Sequence, residues 1–148
     1  MLFGLPDNRF DTVPLLDVVK LVEEIVERAA GSGLDVTLRL EGTVDEVPAA
    51  TAEAAYRVVQ ESLTNALRYA AGAAVAVTLR GGVDAIDVEV RNAAAAREPE
   101  LQGVGTGNGL GGLRERIDAC GGTVDAGPTA DGGWRVVARI PRRSLARA

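Results

Sequence analysis

Residues 49–70, AATAEAAYRVVQESLTNALRYA, decide how this chain folds. Apolar side chains recur at Ala52, Ala55, Val59, Leu63, Ala66 and Ala70, the spacing of a long helix with one buried stripe. A helix turns about 100° per residue, which gathers a second group away from that stripe. Glu61 and Asn65 stand at i, i+4, and Arg68 and Tyr69 follow Asn65 at i+3 and i+4. All four fall within an arc of about 100°. A carboxylate, an amide oxygen, a guanidinium and an aromatic ring therefore share one face, opposite the apolar stripe.

That set suits a metal–phosphate ligand. Mg²⁺ takes hard oxygen donors and keeps several waters, so one or two protein oxygens plus phosphates suffice. Asn65 offers a neutral oxygen, and Arg68 can pair with phosphate oxygens. Taken alone, the same face also reads as a solvated helix surface with an ordinary Glu and Arg. An Asn in mid-helix costs a few tenths of a kcal/mol in propensity, which leans toward a purpose.

Working outward, Leu15, Val18, Val19, Val22, Ile25, Val26 and Ala29 predict a first helix that Gly31 and Gly33 stop. Residues 1–14 read as an extension or linker and 15–148 as one domain. Asp35–Glu41 alternates as a strand, and Gly42–Pro48 reads as a turn. Ala74–Arg80 and Ala85–Asn92 form a hairpin through Gly81–Asp84. A loop over 93–109 precedes a short helix at Leu110–Ala119, and strands follow at Thr123–Ala126 and Trp134–Ile140. The expected order is α β α β β loop α β β: one mixed sheet with helices packed on one face.

The loop ends in Gly103-Val104-Gly105-Thr106-Gly107-Asn108-Gly109 and runs into Leu110-Gly111-Gly112-Leu113-Arg114-Glu115-Arg116. Glycines let backbone N–H groups approach phosphate closely, and a helix start adds a positive dipole end. A flexible linker is the alternative, although a linker rarely runs straight into a helix-forming segment. Residues 107–112 also match G-x-G-x-x-G. That fingerprint needs a strand directly before it and a parallel βαβ unit around it, and neither is expected here. No Walker-type phosphate loop occurs.

Composition removes other classes. The net charge of −5 lacks the basic footprint of a nucleic-acid binder. The one basic run, Arg139–Arg147, reads as a solvated tail. With a single cysteine and no histidine, the chain holds no internal disulfide, cysteine-built metal site, histidine-ligated zinc or Ser-His-Asp triad. Aromatics are 3%, so the 47% hydrophobic content must build its core from Val, Leu, Ile and Ala. There is no apolar run of transmembrane length, and the first residues lack the pattern of a signal peptide, so a cytoplasmic domain is expected. Trp134 is expected to pack in the core or at an edge, and Cys120 to be a small buried hydrophobe. Arg114, Glu115 and Arg116 read either as a solvated turn or as a lid or partner contact.

Together the two motifs resemble those of the catalytic ATP-binding domain of sensor histidine kinases, within the superfamily that also holds gyrase, Hsp90 and MutL. The subfamily paired with NarL-type response regulators is the nearest pattern. Gln60–Ala70 resembles the family's N-box, and Gly105–Arg116 its second glycine box and the G-L-x-G-[LM]-R-E-R stretch. The likeness spans about residues 15–141.

It implies a Bergerat-type α/β sandwich: a mixed, mostly antiparallel sheet of about five strands with three helices on one face. ATP and Mg²⁺ would lie between the helix of residues 49–70 and a lid at about 93–109. Asn65 would hold Mg²⁺, with Glu61 near the metal or its waters as a base or positioning group. Arg68 and Tyr69 would contact the phosphate and sugar side. Gly105, Gly107 and Gly109 would hinge the lid, and Leu110, Gly111 and Gly112 would bring the helix start to the phosphates.

Two features depart from the family pattern. Asn92 stands where an Asp normally bonds the adenine amine, and no glycine follows it. An Asn oxygen still accepts, but less strongly than a carboxylate. The family also phosphorylates a histidine on a dimerisation domain, and this chain has none, so it is either a fragment of a longer kinase or acts on another chain. A response regulator would be reached indirectly, and any membrane anchor of a full kinase would lie beyond these residues. Two alternatives share the pattern: a serine/threonine kinase of the anti-sigma-factor type, and a nucleotide-degenerate module that binds protein.

Overall fold

The computed structural model describes residues 12–95 and 108–142, with backbone alone at 108–111. Among these residues the order is β1 (Thr12–Pro14), α1 (Leu15–Gly31), β2 (Asp35–Gly42), β3 (Glu46–Pro48), α2 (Ala49–Tyr69), β4 (Ala74–Gly81), β5 (Ala85–Asn92), α3 (Asn108–Ala119), β6 (Thr123–Pro128) and β7 (Trp134–Pro141).

The main sheet runs β2-β4-β5-β7-β6. β2 pairs with β4 in parallel, and the other three pairings are antiparallel. The expected sandwich is borne out: a five-stranded mixed, mostly antiparallel sheet with three helices on one face. Alternation along the strands decides which face. Val75, Val77 and Leu79, then Ile86, Val88 and Val90, then Val136, Ala138 and Ile140 are buried under the helices. α1 packs on β2, α2 on β5 and β7, and α3 on β6.

The other face is polar. Glu41, Arg80, Asp87 and Arg139 lie in one row across β2, β4, β5 and β7. Signs alternate along it, with Arg80 bonded to Glu41 at 2.7 Å and Arg139 to Asp87 at 3.1 Å. Solvent screens these exposed pairs, so they serve solubility and register more than stability. The folded position of Arg139 corrects the reading of Arg139–Arg147 as a solvated tail. Arg142 also folds back, donating to the carbonyls of Gly82 and Glu46 at 3.0 and 2.8 Å. Residues 143–148 lie outside the described residues.

A small second sheet also departs from the sequence reading. Thr12–Pro14 pairs antiparallel with Glu46–Pro48, in a segment expected to be a turn. Three-residue strands are too short to show a period of two, which is why neither was legible. Each ends in the proline that precedes a helix, Pro14 before α1 and Pro48 before α2. Fixed proline φ angles of −64° and −58° set the entry to both helices. Leu15 N–H donates to Asp45 O at 3.2 Å, tying the two helix starts together.

Candidate functional site

The last two turns of α2 border a cleft of about 460 Å³. Asn65, Ala66, Tyr69 and Ala70 form its helical wall. Asn92, Ala93 and Ala95 enter where β5 ends, and Gly132, Gly133 and Trp134 close it from the start of β7. The size is that of a small-molecule site, and the lining is largely apolar with a few placed polar groups.

The polar arc read in the sequence is open only at this end of α2. Ala54 and Val58 fall on the same face as Glu61 and Asn65, at helical spacing, yet both are fully buried. The N-terminal turns of α2 are covered on that side, and only the last turns present side chains to the cleft. Of the four arc residues, Asn65 and Tyr69 line it. Glu61 and Arg68 are partly buried on adjoining helix surface and are not among its lining residues. The Arg68 guanidinium lies 6.0 Å from the centre of the Tyr69 ring, at the outer limit of cation–π attraction.

Asn92 reaches the cleft from the other side. It is 9% exposed, and its Nδ2 donates to Ala93 O at 2.9 Å. That bond turns the amide nitrogen toward the backbone. The β6–β7 turn supports the same corner. Gly133 N–H donates to Thr129 Oγ1 at 2.9 Å, and Thr129 N–H donates to Gly133 O at 3.0 Å. The Thr129 hydroxyl also donates to Asp131, and with the Gly133 N–H holds that carboxyl below the usual carboxylate range. A Cβ at Gly133 would stand 2.0 Å from Asn92 O, so only glycine lets the turn close against β5.

α3 approaches from the other side of α2. Arg116 Nη1 bonds Glu53 at 3.1 Å, and Cys120 Sγ lies 3.8 Å from Ala50 O. Advancing along α3 therefore means retreating along α2, so the two run antiparallel. Asn108 precedes Arg116 by as many residues as Glu61 follows Glu53, so the start of α3 comes to about the level of Glu61. Its first N–H groups, which have no partner within the helix, and its positive dipole end are thus carried toward the open end of the polar arc.

Gly109, Leu110 and Gly111 belong to that first turn as backbone; Gly112 is exposed, with open space where a Cβ would stand. Gly105 and Gly107, with most of the expected lid, lie outside the described residues. Arg114 donates to Val124 O at 2.8 Å and Arg116 pairs with Glu53 of α2, while Arg114, Glu115 and Arg116 all stay exposed, as a solvated face would. Cys120 is half-buried, and burial pushes its thiol up, which makes it a poor nucleophile at neutral pH.

Trp134 corrects the expectation of core or edge packing, because it is a wall of the cleft. Gly132, Gly133, Ala93 and Ala95 were also missed. The available signal was the Gly132-Gly133 pair ahead of the chain's one tryptophan.

For a metal, the donor set is Asn65 with Glu61 one turn earlier. Among the described residues no group of three or more His, Cys, Asp or Glu could hold an ion. An ion held by Asn65 and Glu61 would take its remaining ligands from water and phosphate, the way Mg²⁺ is commonly bound.

Comparison with known proteins bears on the family and the fold. Residues 50–144 match the family of histidine kinase-, DNA gyrase B- and HSP90-like ATPases. The oxygen sensor histidine kinase NreB of Staphylococcus carnosus is 37% identical over 86 residues, covering 58% of this chain and 25% of NreB. This chain therefore corresponds to about a quarter of that relative. The catalytic domain of histidine kinase ThkA, in a nucleotide-free form, superposes with a TM-score of 0.66 at 20% identity, covering 90% of this chain and 97% of that one. ThkA in complex with the response regulator protein TrrA matches with a TM-score of 0.64 at 20% identity, over 90% of this chain and 42% of that one. No helix among the described residues is long and apolar enough to cross a membrane.

Proposed function

The chain belongs to the histidine kinase-, DNA gyrase B- and HSP90-like ATPases, and from that premise we propose that it binds Mg-ATP and presents the γ-phosphate to a histidine outside this chain. One observation carries the reading. Asn65 and Tyr69 of α2 and Asn92 of β5, from distant parts of the sequence, line one cleft of nucleotide size, and the start of α3 is directed to the same end of α2.

In this reading Asn92 and its neighbours take the base, and the polar arc takes the phosphates. Asn65, with Glu61 beside it, would hold Mg²⁺, which supplies charge neutralisation at the β- and γ-phosphates. Glu61 positions the metal's waters or acts as a base. Arg68 and Tyr69 lie on the phosphate and sugar side. Gly105, Gly107 and Gly109 hinge the lid, and Leu110, Gly111 and Gly112 deliver backbone N–H groups at the helix start. Catalysis is then positioning and electrostatics, as in phosphoryl transfer generally.

The acceptor would be a histidine outside these residues, which contain none, either in the rest of a longer kinase or on another chain. A histidine-bearing dimerisation domain is the direct partner, and a response regulator is served through it. In this reading the domain works in the cytoplasm, where ATP is supplied.

Calorimetry with a non-hydrolysable ATP analogue, with and without Mg²⁺, tests the reading. Binding should strengthen with Mg²⁺, and Asn65→Ala should remove that dependence, costing tenfold or more in the presence of Mg²⁺. An unchanged Mg²⁺ effect would show the metal assignment wrong. No binding at millimolar nucleotide would sink the kinase reading and leave a protein-binding module.

A further inference from the structure

Trp134 is the chain's only tryptophan, and it opens β7 directly opposite Asn92 in the β5–β7 register. It is 36% exposed, and it lines the cleft that Asn92 also lines. A large indole left this open forfeits part of the burial that would stabilise the fold, so packing alone does not account for its position. Tyr69 faces the same cleft from α2. Aromatics are 3% of the chain, yet two of them meet at this one site. The polar partner at this corner is weak, because Asn92 is neutral and its Nδ2 is already bonded to Ala93 O.

We propose that Trp134 is the base-contacting wall of the cleft, and that contact between the indole and a planar purine supplies most of the affinity at the base end. In this arrangement the aromatic surface makes up for the charged hydrogen bond that a carboxylate at Asn92 would have made. Removing such a stacking contact typically weakens binding by about tenfold, and stacking tolerates changes at the base edge. The turn holding Gly133 against Asn92 O fixes the indole beside the amide, so base edge and base face are read together. The proposal rests on the nucleotide reading above.

ADP separates the two. It is titrated by calorimetry into wild type, Trp134→Phe and Trp134→Ala, each with and without Mg²⁺, and the fold of each variant is checked by circular dichroism. Trp134→Ala should weaken ADP about tenfold or more, by the same factor with and without Mg²⁺. Trp134→Phe should stay within about threefold of wild type. Because Trp134 is the only tryptophan, its fluorescence in the wild-type protein should change on saturation with ADP. The proposal is overturned if wild type binds ADP while Trp134→Ala binds it equally well, or if saturation leaves the fluorescence unchanged; the nucleotide reading then stands. If wild type does not bind ADP at all, the nucleotide reading itself has failed and this proposal falls with it. Should Trp134→Ala not fold, the fluorescence change and the Trp134→Phe titration decide.

Discussion

At the scale of single residues, the proposed site divides into a phosphate end and a base end of different character. Helix spacing alone puts Asn65 on one face with Glu61, because residues four apart on α2 must share a face, but it does not tell a site from a solvated surface. Asn92 is legible only as the last residue of a strand, and its environment had to come from the structure. The amide donates to Ala93 O at 2.9 Å, a bond a carboxylate cannot make. Asn92→Asp therefore exchanges a local hydrogen bond for a charged acceptor. It should lower stability by about 1 kcal/mol, read by urea denaturation. Adenine nucleotide affinity should tighten or stay the same, read by calorimetry. A clear loss of affinity would show that the amide's donors contact the ligand. Thr51 shows the same limit of local reading: its hydroxyl bonds Pro141 O at 2.9 Å and not its own helix start, a partner 90 residues away.

At the scale of elements, the antiparallel packing of α3 on α2 and the closure of the β6–β7 turn bring the parts of the site together. The turn is the more exacting of the two. Thr129 and Gly133 bond each other twice across it, and Gly133 touches the backbone of Asn92. In Gly133→Ala the added methyl meets a carbonyl oxygen that cannot rotate away, so the β5–β7 pairing must shift at its open end. The expected cost is about 1–3 kcal/mol in thermal or denaturant unfolding, together with weaker nucleotide binding. Full stability with unchanged binding would show that the turn has room the geometry does not suggest. Helix and strand types were legible here because periods of 3.6 and 2 are local. The three-residue strands β1 and β3 were not, because each exists only through its pairing with the other.

At the scale of the whole molecule, stability comes from a core of Val, Leu, Ile and Ala between one sheet face and three helices. Ile140 is fully buried on β7, in the layer beneath the helices. Ile140→Ala should cost about 2–5 kcal/mol by denaturant unfolding. A charge-neutralising change in the exposed row, such as Arg139→Gln, should cost less than about 1 kcal/mol and serves as the control. Local period and composition gave the main helices and strands, the polar arc on α2, the glycine stretch before α3 and the lack of a histidine in these residues, while the five-stranded sandwich was what the family resemblance implied. The tertiary structure decided which arc residues meet the cleft. Ala54 and Val58 share the face of Glu61 and Asn65 but are buried, so only the final turns of α2 are open. It also decided that Trp134 stands beside Asn92, since strand register joins residues that no local pattern relates. The physical reason is the same in both cases. Periodicity assigns a side chain to a face of its own element, but only packing determines whether another element covers that face or leaves it open.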